Sequence, residues 1–284
     1  MAQYDPKTLR KLQLCELEIL KDFVKICEEN NLKYFGFAGT AIGAIRHGGF
    51  IPWDDDIDMG ILREDYEKLR EIIQRDYADK YTFVDAHTYN DYANMNAHIV
   101  LNGTKFTEST AKNCKYPQGI FLDIFPFDHA PADEVTREKF VRKVWLASKF
   151  LIVKHTPFPV LPFKKGIKVK LCHAVTAVIW FFLNLFCISH KFLYKKLLKF
   201  STKYNKEDTG YYYYSCSSSR QGTVYAKEDF YPFKKIKFED VDLDFPQNIE
   251  KALGRVYGDF MQLPPEEKRV NHCPDELVFP KENE

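Results

Sequence analysis

The sequence predicts an α+β fold, a mixed sheet flanked by helices and carrying a basic, apolar helical insertion. Three observations lead there. Helical and strand periodicities alternate over residues 5–125 in the order α-β-α-β-α-β-β-β. Two of the short apolar strands carry acids, at Asp56 and Asp58 and again at Asp123. From Lys139 to Lys206 there are 15 Lys or Arg and no Asp or Glu, so the rest of the chain holds 26 basic residues against all 40 acidic ones. An overall charge of +1 therefore conceals an acidic body with one basic block, which bears on anionic partners and not on fold.

With 284 residues and 45% hydrophobic content the chain can bury a full core. Asp5-Pro6 is a helix start, a capping acid followed by Pro at the first position. Leu9, Leu12, Ile19, Leu20, Phe23 and Cys27 then lie at helical spacing, and Asn30-Asn31 ends the run. Residues 32–37 read as a strand. Gly39-Thr40 turns the chain into a short helix over 41–46, ended by Gly48-Gly49. Residues 51–53 are extended, because Ile51 precedes Pro52. A strand over 56–62 and a helix over 64–74 follow. Strands are expected over 81–85, 96–101 and 119–125, the last stopped by Pro126. Asp133 caps a helix towards Lys149. Strand-like pieces return at 236–238 and 241–245, then a helix over 247–253. Residues 1–138 and 207–284 are thus expected to form one domain around an insertion at 139–206.

Seven Cys, an odd number without a Cys-x-x-Cys pair, argue against a disulfide framework or structural zinc. They read mostly as small buried residues in a reducing compartment. The polar N-terminus shows no secretory signal, so the expected location is cytoplasmic.

The chemistry concentrates between Phe35 and Arg63. Asp54, Asp55, Asp56 and Asp58 occupy four of five positions. At an effective dielectric of about 20, two like charges 4 Å apart repel by roughly 4 kcal/mol, so the cluster invites a cation. Residues two apart on a strand share a face, which places Asp56 and Asp58 about 7 Å apart at Cα and able to reach one hard cation. Mg²⁺ prefers one or two carboxylates with waters and phosphate oxygens, and Mn²⁺ takes similar ligands. Asp123 stands between Phe121 and Phe125 on its own strand face, an unusual place for an acid unless it faces a site. If its strand lies beside 56–62, the three acids cluster. The competing account makes Asp54 and Asp55 a solvated loop and Asp56 a turn cap. Gly39-Thr40, ahead of a helix, suits phosphate, although alone it is only a turn.

The run Ala38-Gly-Thr-Ala-Ile-Gly-Ala-Ile-Arg-His-Gly-Gly-Phe-Ile-Pro-Trp-Asp-Asp-Asp-Ile-Asp58 resembles the LicD family and its fukutin-type relatives. Phe121-Leu-Asp-Ile-Phe-Pro-Phe-Asp128 and the stretch from Tyr257-Gly-Asp through Leu-Pro-Pro-Glu-Glu-Lys-Arg269 to His272 agree with it. Gly39-Thr40 followed by Asp56-Ile57-Asp58 is similar to the signature of the nucleotidyltransferase fold shared with DNA polymerase β. One departure stands out: the family implies paired histidines near the end, where this chain has His272-Cys273.

The resemblance implies transfer of a phosphorylated alcohol, phosphocholine first, from CDP-choline or another CDP-alcohol to a hydroxyl of a cell-surface glycan such as lipopolysaccharide or teichoic acid. It implies Asp56, Asp58 and Asp123 as catalytic metal ligands, with Asp123 either ligand or base, and Gly39 and Thr40 as a phosphate cradle. Arg46 either contacts phosphate or pairs with Asp54 or Asp55; His47, Arg269 and His272 are phosphate or acceptor contacts. Trp53 sits beside the acids and could face a choline ammonium. Nucleotidyl transfer of an NMP group and a metal-dependent glycosyltransferase are the rival enzymes.

Residues 168–188 are apolar between Lys clusters, Lys164, Lys165, Lys168 and Lys170 before and Lys191, Lys195, Lys196 and Lys199 after. Such a helix can lie in a membrane interface, be buried, or bind an anionic, lipid-linked acceptor glycan. Peripheral membrane contact through 164–199 is one expectation. No nucleic-acid-reading motif accompanies the basic block, so nucleic acid is not an expected partner.

Overall fold

In the computed structural model, which describes residues 4–161, 166–215 and 224–281, the chain begins with α1 (Pro6–Glu29), capped by the Asp5 carboxylate on the amides of Lys7 and Thr8. β1 (Tyr34–Gly36) and α2 (Ala38–His47) lead to β2 (Asp58–Leu62) and α3 (Arg63–Asp76). β3 (Tyr81–Val84), β4 (Ala97–Leu101), β5 (Lys105–Thr107) and β6 (Phe121–His129) follow. Three helices come next: α4 (Glu134–His155), α5 (Ile167–Leu185) and α6 (His190–Ser201). The chain closes with β7 (Tyr211–Tyr214), β8 (Val224–Ala226), α7 (Lys227–Phe230), β9 (Lys234–Phe238), β10 (Val241–Phe245), α8 (Ile249–Tyr257), a 3₁₀ turn at Glu266–Lys268 and β11 (Glu276–Val278).

The central sheet runs β1-β2-β6-β4-β3, with β7 on the second half of β6 and β8 beyond it. Among the described residues only β2 and β6 pair in parallel; the other pairs of this sheet are antiparallel. β9 and β10 form a separate hairpin, and β5 pairs with β11.

Strand periodicity divides the side chains between two cores. Phe83, Ile99 and Tyr212 enter one core with the apolar stripe of α1, and their neighbours Val84, Val100 and Tyr213 enter the other with Phe140, Leu151 and Leu197 of α4 and α6. Phe35 is fully buried and meets Phe230 and Phe127 edge-on at 4.7 and 4.9 Å. Burying a side chain of that size contributes about 1.5–3 kcal/mol. It lies opposite Gly60, where an added Cβ would come within 2.2 Å of the Phe35 ring, so β1 and β2 close only around glycine. The start of α3 is fixed to β6 by a buried, two-pronged ion pair, Arg63 to Asp128, at 3.0 and 2.9 Å.

The structure corrects the sequence reading at several elements. β6 continues through Pro126. Asp123 N–H donates to Ile57 O, so odd-numbered donors of β6 face β2 and the Pro126 nitrogen faces the opposite edge. There β4 has ended at the Ala97–Ile124 pair and β7 begins only at Phe127–Tyr214, so no ladder donor is missed. Residues 51–54 close a turn, Asp54 N–H to Ile51 O, in place of an extended segment. β5 and β11, short and mixed in polarity, had no signal of their own. Of the described cysteines only Cys27 is buried, so the expectation of mostly buried thiols is not met; Cys216 lies outside the described residues.

α5 has no buried residue, which removes the buried-helix alternative. It is 19 residues long with a mean hydropathy of 1.4, enough by length and composition to cross a membrane. Thr176 Oγ1 donates to Pro157 O at 2.7 Å, and a His173 ring nitrogen lies 3.2 Å from Pro159 O, tying α5 to the segment after α4. Lys164 and Lys165 lie outside the described residues.

Candidate active site

The parallel pairing of β2 with β6 sets Asp58 directly beside Asp123. Asp56 precedes the ladder of β2, two residues from Asp58 along an extended chain. Carboxylate oxygens of Asp56, Asp58 and Asp123 all lie within 4.8 Å of one another. Burial, then repulsion by Asp123 and Asp54, pushes the Asp58 carboxyl up to about 8. Burial and then Asp58 and Asp54 push Asp56 well above the carboxylate range. Asp54 rises to about 6, through burial and then Asp55. Three carboxylates at this spacing make an all-oxygen donor set that fits a hard divalent cation.

Gly39 and Thr40 lie in the first turn of α2, which starts at Ala38 and not after the Gly-Thr pair. Thr40 Oγ1 accepts from Asp58 N–H at 2.7 Å, and Gly39 N–H donates to Asp58 Oδ2 at 3.3 Å. Both residues thus hold Asp58. A Cβ at Gly39 would lie 3.2 Å from Asp54 Oδ2 and 3.6 Å from Asp58 Oδ2, so glycine keeps the helix end against the acids. Ala38 adopts φ 48°, a left-handed conformation costing a non-glycine residue about 1–3 kcal/mol, immediately before that contact.

Asp55 is buried and ties the chain ends to the acidic loop. It accepts from Tyr4 OH at 2.9 Å, from the amides of His272 and Cys273 at 3.0 and 3.2 Å, and from His272 Nδ1 at 3.1 Å. Burial alone would raise its pKa, but these bonds outweigh it and hold Asp55 below the usual range. His272, also 3.7 Å from Asp56, is pushed up to about 10, chiefly by the Asp55 hydrogen bond. It is therefore a fixed cation beside the acids.

Arg46 pairs with neither Asp54 nor Asp55. It donates to the carbonyl of Phe260 and to His47 Nε2, docking the segment after α8. Arg269 bonds Pro264 O at 3.0 Å. The two guanidiniums lie 5.9 and 4.8 Å from the Trp53 ring centre, and His47 meets that ring edge-on at 6.3 Å. Trp53 is thus engaged by arginines of this chain. Arg46, Arg269 and His47 surround the Trp53 ring.

Four contributors had gone unread in the sequence. Asn96 Nδ2 donates to Asp123 Oδ1 at 2.6 Å, and His98 Nε2 lies 3.2 Å from the same oxygen. Tyr92 OH in turn donates to Asn96 at 3.1 Å. Asn96 and His98, two apart beside the apolar Ile99-Val100, are the pattern that could have revealed them. Glu16 of α1 is buried beneath the acids, and burial, then Asp56, Asp55 and Asp54, holds it far above its ordinary pKa. A cavity of about 650 Å³ opens from Asp56, Asp123 and His272 towards the end of α4.

The fold and site define a mixed-sheet protein with a cluster of three carboxylates that could hold a metal ion, two of which, Asp56 and Asp123, line a cavity. A family model described as LicD/FKTN/FKRP, nucleotidyltransferase domain, matches residues 31–166. The chain is 31% identical, over 93% of its length and 96% of the relative's, to the lipopolysaccharide cholinephosphotransferase LicD of Haemophilus influenzae. It is 37% identical over 82 residues to the ribitol 5-phosphate transferase FKRP of Mus musculus and of Homo sapiens, 28% of this chain and 16% of theirs. The chain belongs to the LicD family, whose named relatives here are phosphotransferases.

Proposed function

We propose that this protein transfers a phosphorylated alcohol, phosphocholine first, from a CDP-linked donor to a hydroxyl of a cell-surface glycan. The observation that carries the proposal is the register of β2 on β6, which sets Asp58 beside Asp123 and gathers them with Asp56, at a cavity that Asp56 and Asp123 line. Similarity to a lipopolysaccharide cholinephosphotransferase over nearly the whole chain supports the substrate class. Residues 1–138 and 207–284 are read as one nucleotidyltransferase-like unit around an insertion at 139–206; the family model supports that arrangement within its own match, residues 31–166.

Asp56, Asp58 and Asp123 would hold Mg²⁺ or Mn²⁺, which when bound neutralises the donor diphosphate and the departing CMP. Gly39 and Thr40 orient Asp58 and present the start of α2 to phosphate. Asn96 and His98 fix Asp123. The acceptor oxygen attacks the phosphocholine phosphorus, the bond from that phosphorus to the CMP oxygen breaks, and the hydroxyl proton passes to the Asp123–His98 pair. His272 and Arg269 add positive charge on the tail side, and Arg46, His47 and Trp53 place that tail.

Incubation with CDP-choline, Mg²⁺ and a glycan acceptor should release CMP and label the acceptor. Pyrophosphate release from a nucleoside triphosphate without CMP formation would instead establish nucleotidyl transfer. We further propose a cytoplasmic protein resting on the inner membrane face through 164–199, since α5 exposes an apolar surface flanked by lysines. It should pellet with anionic vesicles at low salt, and deletion of 164–199 should abolish this. Recovery of the intact chain in the supernatant would refute membrane contact.

A further inference from the structure

Two histidines outside the acid cluster form a relay that ends in the cavity. His190, the first residue of α6, is buried, and its Nε2 lies 2.8 Å from Ala86 O. Its Nδ1 lies 2.9 Å from Nε2 of His155, the last residue of α4. Tyr194 stacks on the His190 ring, 6.3 Å away and 6° from parallel. His155 is exposed and lines the cavity that Asp56 and Asp123 also line. His190 lies beyond the residues that the family model matches, so the relay is not carried by that match.

The proton positions follow from the chain of partners. A carbonyl only accepts, so His190 Nε2–H donates to Ala86 O, and the neutral ring keeps its lone pair on Nδ1. That lone pair accepts from His155 Nε2–H, which leaves the lone pair of His155 on Nδ1. Burial lowers the His190 pKa, and desolvation, then His190, lowers that of His155 to about 4 against the pull of Asp91, so both rings are neutral at pH 7. Among the described residues His155 Nδ1 has no hydrogen-bond partner. The Asp91 carboxylate lines the same cavity and also only accepts, and no Lys or Arg lines it among the described residues. A nucleotide diphosphate would be repelled at this end, whereas a ligand that brings O–H donors satisfies it. We propose that His155 Nδ1 accepts a hydrogen bond from a hydroxyl of the glycan acceptor other than the attacking one, and that His190 is a positioning residue that holds His155 in its Nε2–H form. The inference deepens the transferase reading above and rests on it for the identity of that ligand. Without His190 the proton of His155 is free to move to Nδ1, which turns the accepting atom into a donor.

The test uses the full chain carrying isotope-labelled histidine, with a lipid-free lipopolysaccharide oligosaccharide as the probe. Nitrogen NMR of the wild type should show His155 and His190 both neutral and protonated at Nε2, and the oligosaccharide should shift the His155 Nδ1 resonance. With CDP-choline and Mg²⁺, His155→Leu should raise KM for the oligosaccharide about tenfold and leave KM for CDP-choline unchanged. His155→Asn, whose amide oxygen stands near the Nδ1 position, should keep more of the oligosaccharide affinity than His155→Leu. His190→Ala should leave His155 in a mixture of both tautomers and raise the same KM. Should Nδ1 respond to the oligosaccharide while no CMP is released from CDP-choline, the transferase reading falls and the assignment of His155 stands. A wild-type His155 protonated at Nδ1, or an Nδ1 resonance that the oligosaccharide does not move, overturns the proposal.

Discussion

Replacing Asp55 by Asn should release the C-terminal tail from the acidic loop without unfolding the sheet. The Asp55 side chain is fully buried and receives four donors: Tyr4 OH, the amides of His272 and Cys273, and His272 Nδ1. A hydrogen bond to a charged acceptor contributes about 1.5–3 kcal/mol, and breaking a buried charged set costs about 3–5 kcal/mol as a whole. The His272 side chain is 51% exposed, so its own ion-pair share is reduced to about 0–1 kcal/mol. The two amides and the tyrosine therefore dominate, and about 3 kcal/mol of docking should be lost. At 1.4 kcal/mol per decade, the His272 and Cys273 amides should exchange with deuterium about 100-fold faster in Asp55→Asn. The pH dependence follows from the two shifts. Asp55 is depressed when folded, so its contribution is present above about 3.9 and lost as pH falls through its folded value. His272 is raised to about 10, so its share is full below about 6.5 and lost as pH rises through 10. Tail protection should peak between these limits in the wild type and flatten in the variant. Equal protection of both amides in the two proteins would refute the reasoning.

Asp58→Asn, Asp56→Asn and Asp123→Asn should each abolish transfer, and in metal-free buffer at pH 7 Asp58→Asn should raise Tm, because the native carboxyl titrates near 8 against its neighbours. Mg²⁺ should then raise the wild-type Tm and not that of the variant. Arg63→Met strands the buried Asp128 and should cost about 3–5 kcal/mol, a fall in Tm on the order of 10 °C by scanning calorimetry. His190 is buried, with a ring nitrogen 2.8 Å from Ala86 O, and burial lowers its pKa; its contribution is present above about 6.5 and lost as pH falls. Below pH 6.5 the Tm of His190→Gln should therefore fall less steeply than that of the wild type.

Local signals were sufficient for α1 and for the acids of the loop. A capping Asp with Pro and a stripe at helical spacing specify a helix regardless of what it packs against, and four carboxylates in five positions announce an electrostatic cost wherever they lie. The sequence also set Asp123 apart, as an acid between two phenylalanines on an apolar strand. Register between distant strands depends on contacts no local pattern encodes, so only the tertiary structure set Asp58 beside Asp123 and led β6 past Pro126. The roles of Thr40, Arg46 and Asp55 were decided in the same way. Each side chain has more than one polar partner within reach of its type, and the chosen one comes from packing of segments up to 217 residues apart. α5 presents the reverse case. Its apolar composition was plain in the sequence, but whether that surface is covered is a property of its neighbours, and α4 and α6 send their apolar side chains into the second core while no residue of α5 is buried.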